Sequence, residues 1–325
     1  MSQLKALRHR IMSVRSTRKI TSAMKMVAAA RLRRAQSAAV EARAHGRGVH
    51  HVMRRLTEEY RQRGLCHPLL SMATEGEGGE KEEALRHPHR IICMTSMRGL
   101  CGSFNAGIVR AVRLDMIEGI KRGEVYHVLC VGRKGYQGLL PFARRSSHAI
   151  TLIRIDEKNV MTDEDKARAI EDMVRASMAE GQLGKVTLYY ARFRTAITQI
   201  ITCMPLMPLG GAETMGAYGG MEGERGDAEA RPSNALDIAR DGVHRFEPDD
   251  EALFEDMAFY RLRWVLYQAL LESSASEHGA RMTAMDNATR NAEDMMSRLT
   301  LEYNRKRQAM ITRELIEIIS GAEAL

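Results

Sequence analysis

The feature that most restricts this chain is a pair of long helical patterns at its two ends, of opposite charge. From about Ser2 to Gln62 there is no proline, and Leu4, Leu7, Ile11 and Val14 repeat at 3, 4, 3, the spacing of a coiled-coil seam. The seam then thins to Ile20, Met24 and Val27 with small residues between them, and Gly64 and Pro68 close the element. About sixty helical residues span roughly 90 Å, with Gly46 and Gly48 as candidate bend points. From Glu251 to Ile319 there is again no proline and one glycine, Gly279; Met282, Met285, Thr289, Ala292, Met296, Leu299 and Tyr303 alternate at 3 and 4. Pro248, Asp249 and Asp250 form a start signal, acids sitting at the positive end of the helix dipole.

Charge gives these ends a relationship. Between Met1 and Val40 there are 10 Lys and Arg and no acid. Residues 1–63 hold 16 Lys and Arg against 3 acids, so this stretch carries +13 and the remainder −5 of the total +8. Residues 248–325 hold 14 acids and 9 bases. A basic helix and an acidic one at opposite ends of one chain predict an antiparallel pair, and a polyanion or an acidic protein surface as outside partner.

Between the ends the texture changes. "RIICMTS" (90–96), "VYHVLCVG" (125–132), "ITLIRI" (150–155) and "KVTLYYARF" (185–193) read as buried strands. "GSFNAGIVRAVRLDMIEG" (102–119) and "TDEDKARAIEDMVRASMAEG" (162–181) read as helices, the second capped by Thr162 or Asp163. Strands alternating with helices predict a mostly parallel, Rossmann-like α/β sheet inserted between the coiled-coil helices. The expected division is an N-terminal helix at 1–63, a linker at 64–88, an α/β foot at 89–209, a Gly-rich loop and connection at 210–247, and the C-terminal helix at 248–325.

No residue pattern assembles an active site. "SMRGLCGS" sits between a strand and a helix, where a phosphate loop would sit, but its spacing is GxxG and no GK[ST] follows. A tight turn packing sheet to helix is the expected role. "SEHGA" at 276–280 lacks the second histidine of a zinc helix, and no GxSxG turn appears. Cys66, Cys93, Cys101, Cys130 and Cys203 form no CxxC, so no metal site and no cofactor is expected, and the thiols fit a reducing compartment. No apolar run approaches the ~18 residues of a membrane span. The Arg-rich start resembles an organelle transit peptide, but the helical pattern begins at Leu4 and leaves nothing to cleave.

"LKALRHRIMSVRSTRKITSAMKMVAAARLRRAQ" resembles the N-terminal helix of the F-type ATP synthase gamma subunit. The stretch from "ASEHGARMTAMDNATRNAEDMMSRL" to "ITRELIEIISGAEAL" resembles its C-terminal helix. "RGLCGSFN" is similar to the family's central turn, and "FEPDDEALFED" to the entry of the last helix. The resemblance covers nearly the whole chain. It implies a non-catalytic rotary shaft inside a ring of α and β subunits, with the foot on the c-ring beside the epsilon subunit, peripheral to the cytoplasmic face of a bacterial inner membrane. It implies contact with β loops at Met24, at the basic face of Arg31, Arg33 and Arg34, and at Arg307 and Gln308. Ile316, Ile318 and Ile319 would turn in an apolar collar, and Phe246 and Glu247 would lie near the c-ring. The 210–235 loop departs from the family in length and glycine content. The paired cysteines of the chloroplast redox insert are absent, Cys203 being the last cysteine, so no thiol switch of that kind is expected.

Two rival readings remain at this point. A homodimeric coiled coil could hold nucleic acid with its basic arm, but residues 1–59 carry no aromatic for stacking. A nucleotide-binding enzyme built on the middle domain lacks the phosphate motif.

Overall fold

The computed structural model describes residues 2–63, 67, 69–70, 87–146, 149–155, 162–182, 184–209 and 250–323. Helix α1 (Ser2–Gln62) is followed by β1 (His89–Met94), α2 (Phe104–Lys121), β2 (Tyr126–Val131), α3 (Arg133–Arg145), β3 (Ile150–Arg154), α4 (Asp163–Ala179), β4 (Val186–Phe193), β5 (Gln199–Met207) and α5 (Asp250–Glu323). The expected architecture is present: a long antiparallel helix pair with an α/β unit inserted between. The expected helix stops at Gly64 and Pro68, most of the linker, Pro248 and Asp249, and the 210–235 loop lie outside the described residues.

Antiparallel pairing follows from cross-helix partners. Arg18 faces Glu293, Thr21 faces Thr289, Lys25 faces Asp286, and Arg43 faces Glu272. On α5 the read seam holds: Met285 and Ala292 are buried, and Met282, Thr289, Met296, Leu299 and Tyr303 are half-buried. On α1 one part of the reading is corrected. Ile20 and Val27 are 60% and 52% exposed, and the buried positions are Thr21, Ala28 and Leu32. Continuing the 3, 4 spacing from Val14 passes through Thr21 and Ala28, so the small residues form the seam and the larger ones turn outward. The helix runs unbroken through Gly46 and Gly48. At Gly46 a Cβ would stand 2.7 Å from the Trp264 indole nitrogen, so glycine there admits the ring of the facing helix.

The sheet order is β3-β2-β1-β4-β5, parallel except for the antiparallel β4–β5 pair. Its strands alternate between two cores. Ile91, Cys93, Val128 and Cys130 meet α2 and α3, while Ile92, Leu129, Leu188 and Tyr190 meet α4 and the base of the helix pair. Helix α4 is held at its start by a capping box between Thr162 and Asp165.

Two elements exceed the sequence reading. Helix α3 contains Pro141 and two internal glycines, which argue against a helix by propensity; burial of Leu139 against the sheet overrides them. Strand β5 contains Pro205, tolerated because β5 is an edge.

His89 at the start of β1 is buried, bonds Thr187 Oγ1 at 2.8 Å, and packs on Tyr126. Burial foremost, then Lys185, holds its pKa down at about 4. The unfolded imidazole takes up a proton from about pH 6.5 downward while the folded one resists, so stability present above that pH is lost as pH falls toward 4. Urea unfolding of the full chain should show this loss at up to about 1.4 kcal/mol per pH unit in that window. His89→Gln should flatten the slope there, and an unchanged slope would remove His89 as its source.

A basic contact face, a free tip and a closed crevice

The parallel strands of this sheet step from β1 to β2 on one side and from β3 across to β4 on the other. Such a reversal normally leaves a ligand crevice at the strands' carboxyl ends. Here α5 fills it. Ser276 Oγ donates to the Ala191 carbonyl at 2.8 Å, and Thr283 Oγ1 to the Ala196 carbonyl at 3.1 Å. Arg281 reaches the other lip, donating to the Arg98 and Gly99 carbonyls at 3.4 and 3.3 Å. Ala280 packs into the core with Cys101 and Ala191.

The "RGLCG" turn is shaped for this seat. Leu100 and Gly102 have φ of 67° and 58°, left-handed values, and a Cβ on Gly102 would meet Ala284 at 3.8 Å. Inside the turn, Asn105 accepts from the Ser96 amide at 2.9 Å and donates to Ser96 Oγ at 2.7 Å. The expectation of a structural turn therefore agrees with the geometry. Beside the seal lies a cavity of about 550 Å³, bounded by Met24, Arg31, Arg98, Lys166 and His278. Burial lowers the pKa of His278 and Arg31 adds to the shift.

The outer surface of α1 is where the predicted contact residues fall. Met24 is half-buried at the cavity wall, and Arg31, Arg33 and Arg34 are exposed. Met26 is 68% exposed and joins Met12, Ile20, Val27 and Val40 as large apolar groups facing out. These alternate with Lys19, Arg33 and Arg34 to make a mixed apolar and basic stripe along the helix. The sequence reading found its cations but not its apolar members Ile20 and Val27, which it placed in the seam.

The second predicted group lies far from the first. Arg307 and Gln308 are exposed near the level at which α1 begins, roughly 40 Å along the axis from Arg31 at 1.5 Å per residue. Met310 is the last half-buried position. From Ile311 to Ser320 every described side chain is exposed, because α5 runs on where α1 has ended. Ile316, Ile318 and Ile319 therefore stand in the open, with Ile318 at 68%. Single apolar groups are common on surfaces; a helix end bare on all sides with Ile311, Leu315, Ile316, Ile318 and Ile319 is not. Phe246 and Glu247 lie outside the described residues.

Among the described residues no group of three metal-binding side chains occurs, and no helix is long and apolar enough to cross a membrane. Cys93, Cys101 and Cys130 are buried and Cys203 is exposed, and none of the four is in a disulfide. Burial pushes the Cys130 thiol up to about 12. Functional side chains that the sequence reading missed are Ser276, Arg281 and Thr283; the legible signal was Gly279 between them, where a Cβ would approach the Ala196 carbonyl to 3.2 Å.

The family model described as ATP synthase matches residues 3–325. The ATP synthase gamma chain of Rhodospirillum rubrum is 41% identical, covering 100% of each chain. That of Paracoccus denitrificans is also 41% identical over 100% of each. Among solved structures, the chain is similar to one in the Tetrahymena thermophila mitochondrial ATP synthase central stalk and c-ring. That match has a TM-score of 0.55 and 25% identity, over 83% of this chain and 99% of the other. A chain of the Euglena gracilis mitochondrial ATP synthase, in rotational state 3, shares the fold with a TM-score of 0.59 and 19% identity, over 99% and 94%.

The Arg281 contacts generate a local prediction. Arg281→Ala removes both bonds to the 98–99 carbonyls and leaves Glu277 without its partner. Amide hydrogen exchange in residues 98–102 should then quicken by about tenfold, the weak end of a charge-assisted bond. Exchange in β2 should stay as it was; equal rates at 98–102 would show that Arg281 does not hold the turn.

Proposed function

We propose, for a chain that belongs to the ATP synthase family and matches its gamma chains from end to end, a working role built on its two exposed regions. The chain is the central shaft of an F-type ATP synthase, coupling proton-driven rotation of the c-ring to ATP synthesis on the β subunits. It is one part of an enzyme complex, and nothing favours the nucleic-acid reading. The observation that carries the role is the free end of α5, a bare helical tip with exposed isoleucines that suits an apolar bearing.

The finer assignments follow from that premise. The chain itself carries out no catalysis, and needs no cofactor. Its partners are the α and β subunits around the helix pair, and epsilon and the c-ring at the foot, on the cytoplasmic side of a bacterial inner membrane. The basic stripe of Arg31, Arg33 and Arg34, with Met24 beside it, meets acidic β loops as the shaft turns. Attraction between close charges near a protein surface is on the order of a few kcal/mol before solvation costs. Methionine and other flexible apolar groups suit a face that meets a different subunit three times per turn. Arg307 and Gln308 grip a β loop at one rotary angle. Ile316, Ile318 and Ile319 form the tip in its collar, and Phe246 and Glu247 face the c-ring.

Arg307→Ala with Gln308→Ala keeps a good helix former at both positions and so keeps the shaft. Charge-assisted contacts of this type contribute about 1.5–3 kcal/mol each, enough to slow a limiting step roughly ten- to a hundredfold. The double variant should assemble with α and β, as gel filtration reports, and hydrolyse ATP much more slowly; Arg307→Lys should fall between. Wild-type turnover in an assembled double variant would make both residues ordinary helix surface. The purified chain alone should hydrolyse no ATP, and activity should appear only with α and β. Affinity purification of the tagged chain from membrane extract should bring down α, β and epsilon; recovery of nucleic acid alone would overturn the reading.

A further inference from the structure

Between Ala28 and Ala42 the seam of the shaft helices is rich in small residues, with Leu32 and Leu271 as its larger members. Ala28, Ala39 and Ala42 are buried on α1, and Ala275 and Ala292 on α5. Small side chains let helices approach closely, but they make shallow knobs and oppose relative sliding weakly. Within this seam sits one costly polar group. Glu272 is fully buried, and its Oε1 accepts from Arg43 Nη2 at 3.1 Å. Arg192 on β4 adds its charge to the same carboxylate, and Gln268 a hydrogen bond. The Glu272 carboxylate on α5 thus bonds α1 directly and feels the charge of Arg192 on the sheet.

The pair is not there for stability alone. Its other oxygen, Glu272 Oε2, and Arg43 Nε are both buried without a hydrogen-bond partner. Burial outweighs the neighbouring cations and raises the carboxyl's pKa. Only the Glu272 side of the pair is buried, the Arg43 side chain being 38% exposed. Ion pairs with a buried member are commonly matched or bettered by apolar residues of similar size, and their best-attested use is to fix alignment. In the other cross-helix pairs, Arg18–Glu293 and Lys25–Asp286, the carboxylate too is open to solvent, so they contribute little.

We propose that Arg43 and Glu272 are a positioning pair that locks the two shaft helices and the sheet in one alignment while the shaft is under load. The proposal rests on the rotary reading above. Without load, packing at the base around Tyr60 and Phe254 suffices to hold the helices in register. Under torque the stretch of small residues from Ala28 to Ala42 would let α1 creep along α5, and the lock prevents it.

Arg43→Leu with Glu272→Leu separates this role from a merely structural one. Thermal stability should stay equal or rise, and ATP hydrolysis by the soluble α, β and gamma complex should match wild type. ATP-driven proton pumping in membrane vesicles, per ATP hydrolysed, should fall severalfold. The charge swap Arg43→Glu with Glu272→Arg should recover part of it. A covalent tie gives the decisive arm: Thr21 and Thr289 hydroxyls lie 2.8 Å apart, so Thr21→Cys with Thr289→Cys can join the helices by a disulfide. Oxidation of that pair in the leucine variant should restore pumping. Wild-type pumping per ATP by the leucine variant overturns the proposal, as does a pumping loss that the disulfide leaves unchanged. A parallel fall of stability, hydrolysis and pumping would do the same. If the leucine pair fails to assemble, Glu272→Gln, which keeps the shape and removes the charge, is held to the same outcomes. Failure of the wild-type chain to assemble or pump at all would instead remove the rotary reading.

Discussion

Every other feature of this molecule depends on the antiparallel contact between α1 and α5. Neither helix is apolar enough on one face to be stable alone, and each supplies what the other lacks. The basic first helix meets acids at Glu272, Asp286 and Glu293, and narrow residues such as Thr21 and Ala28 allow close approach. Because the small residues occupy the seam, Ile20, Met26 and Val27 are left outside. The contact face is thus a consequence of how the seam is built. Choosing alanine and threonine for the inside places the apolar groups on the outer surface of the pair.

The inserted domain shows how far a fold can be from the activity it usually suggests. A mostly parallel sheet with a change of strand direction has a natural ligand site at its carboxyl edge. In this chain Ser276, Arg281 and Thr283 of α5 occupy that edge and bond the carbonyls a ligand would otherwise approach. The crevice has become a joint between foot and shaft. A turn without the GK[ST] of a phosphate loop is what such a joint requires, since its backbone must hold a helix and not a pyrophosphate.

The unequal length of the two helices supplies the remaining functional element. Helix α5 has 74 residues and α1 has 61, and α5 continues beyond the point where α1 begins. With no partner, the terminal turns present isoleucine and leucine to every side. Apolar exposure of that extent marks a surface for interaction, and the proposed bearing would cover it without requiring any one fixed orientation.

Periodicity and charge were sufficient to read the two long helices, their antiparallel relation, four strands of the sheet and the absence of a phosphate loop. These are local or summed properties, carried by residues such as Met285, Ala292 and the acid-free first forty positions. The exposed cations of α1, Arg31, Arg33 and Arg34, were legible for the same reason. What only the tertiary structure decided were choices between physically equivalent local options. Ile20 and Thr21 are adjacent, and the one that faces α5 is set by the phase of a seam running the whole helix. Helix α3 forms despite Pro141, and β5 despite Pro205, because burial and an edge position outweigh propensity. The meeting of Arg43, Arg192 and Glu272 joins residues far apart in sequence, and no pattern along the chain encodes it. A sequence records which side chains are available and at what spacing; which of them share a buried site depends on how the helices and the sheet pack around it.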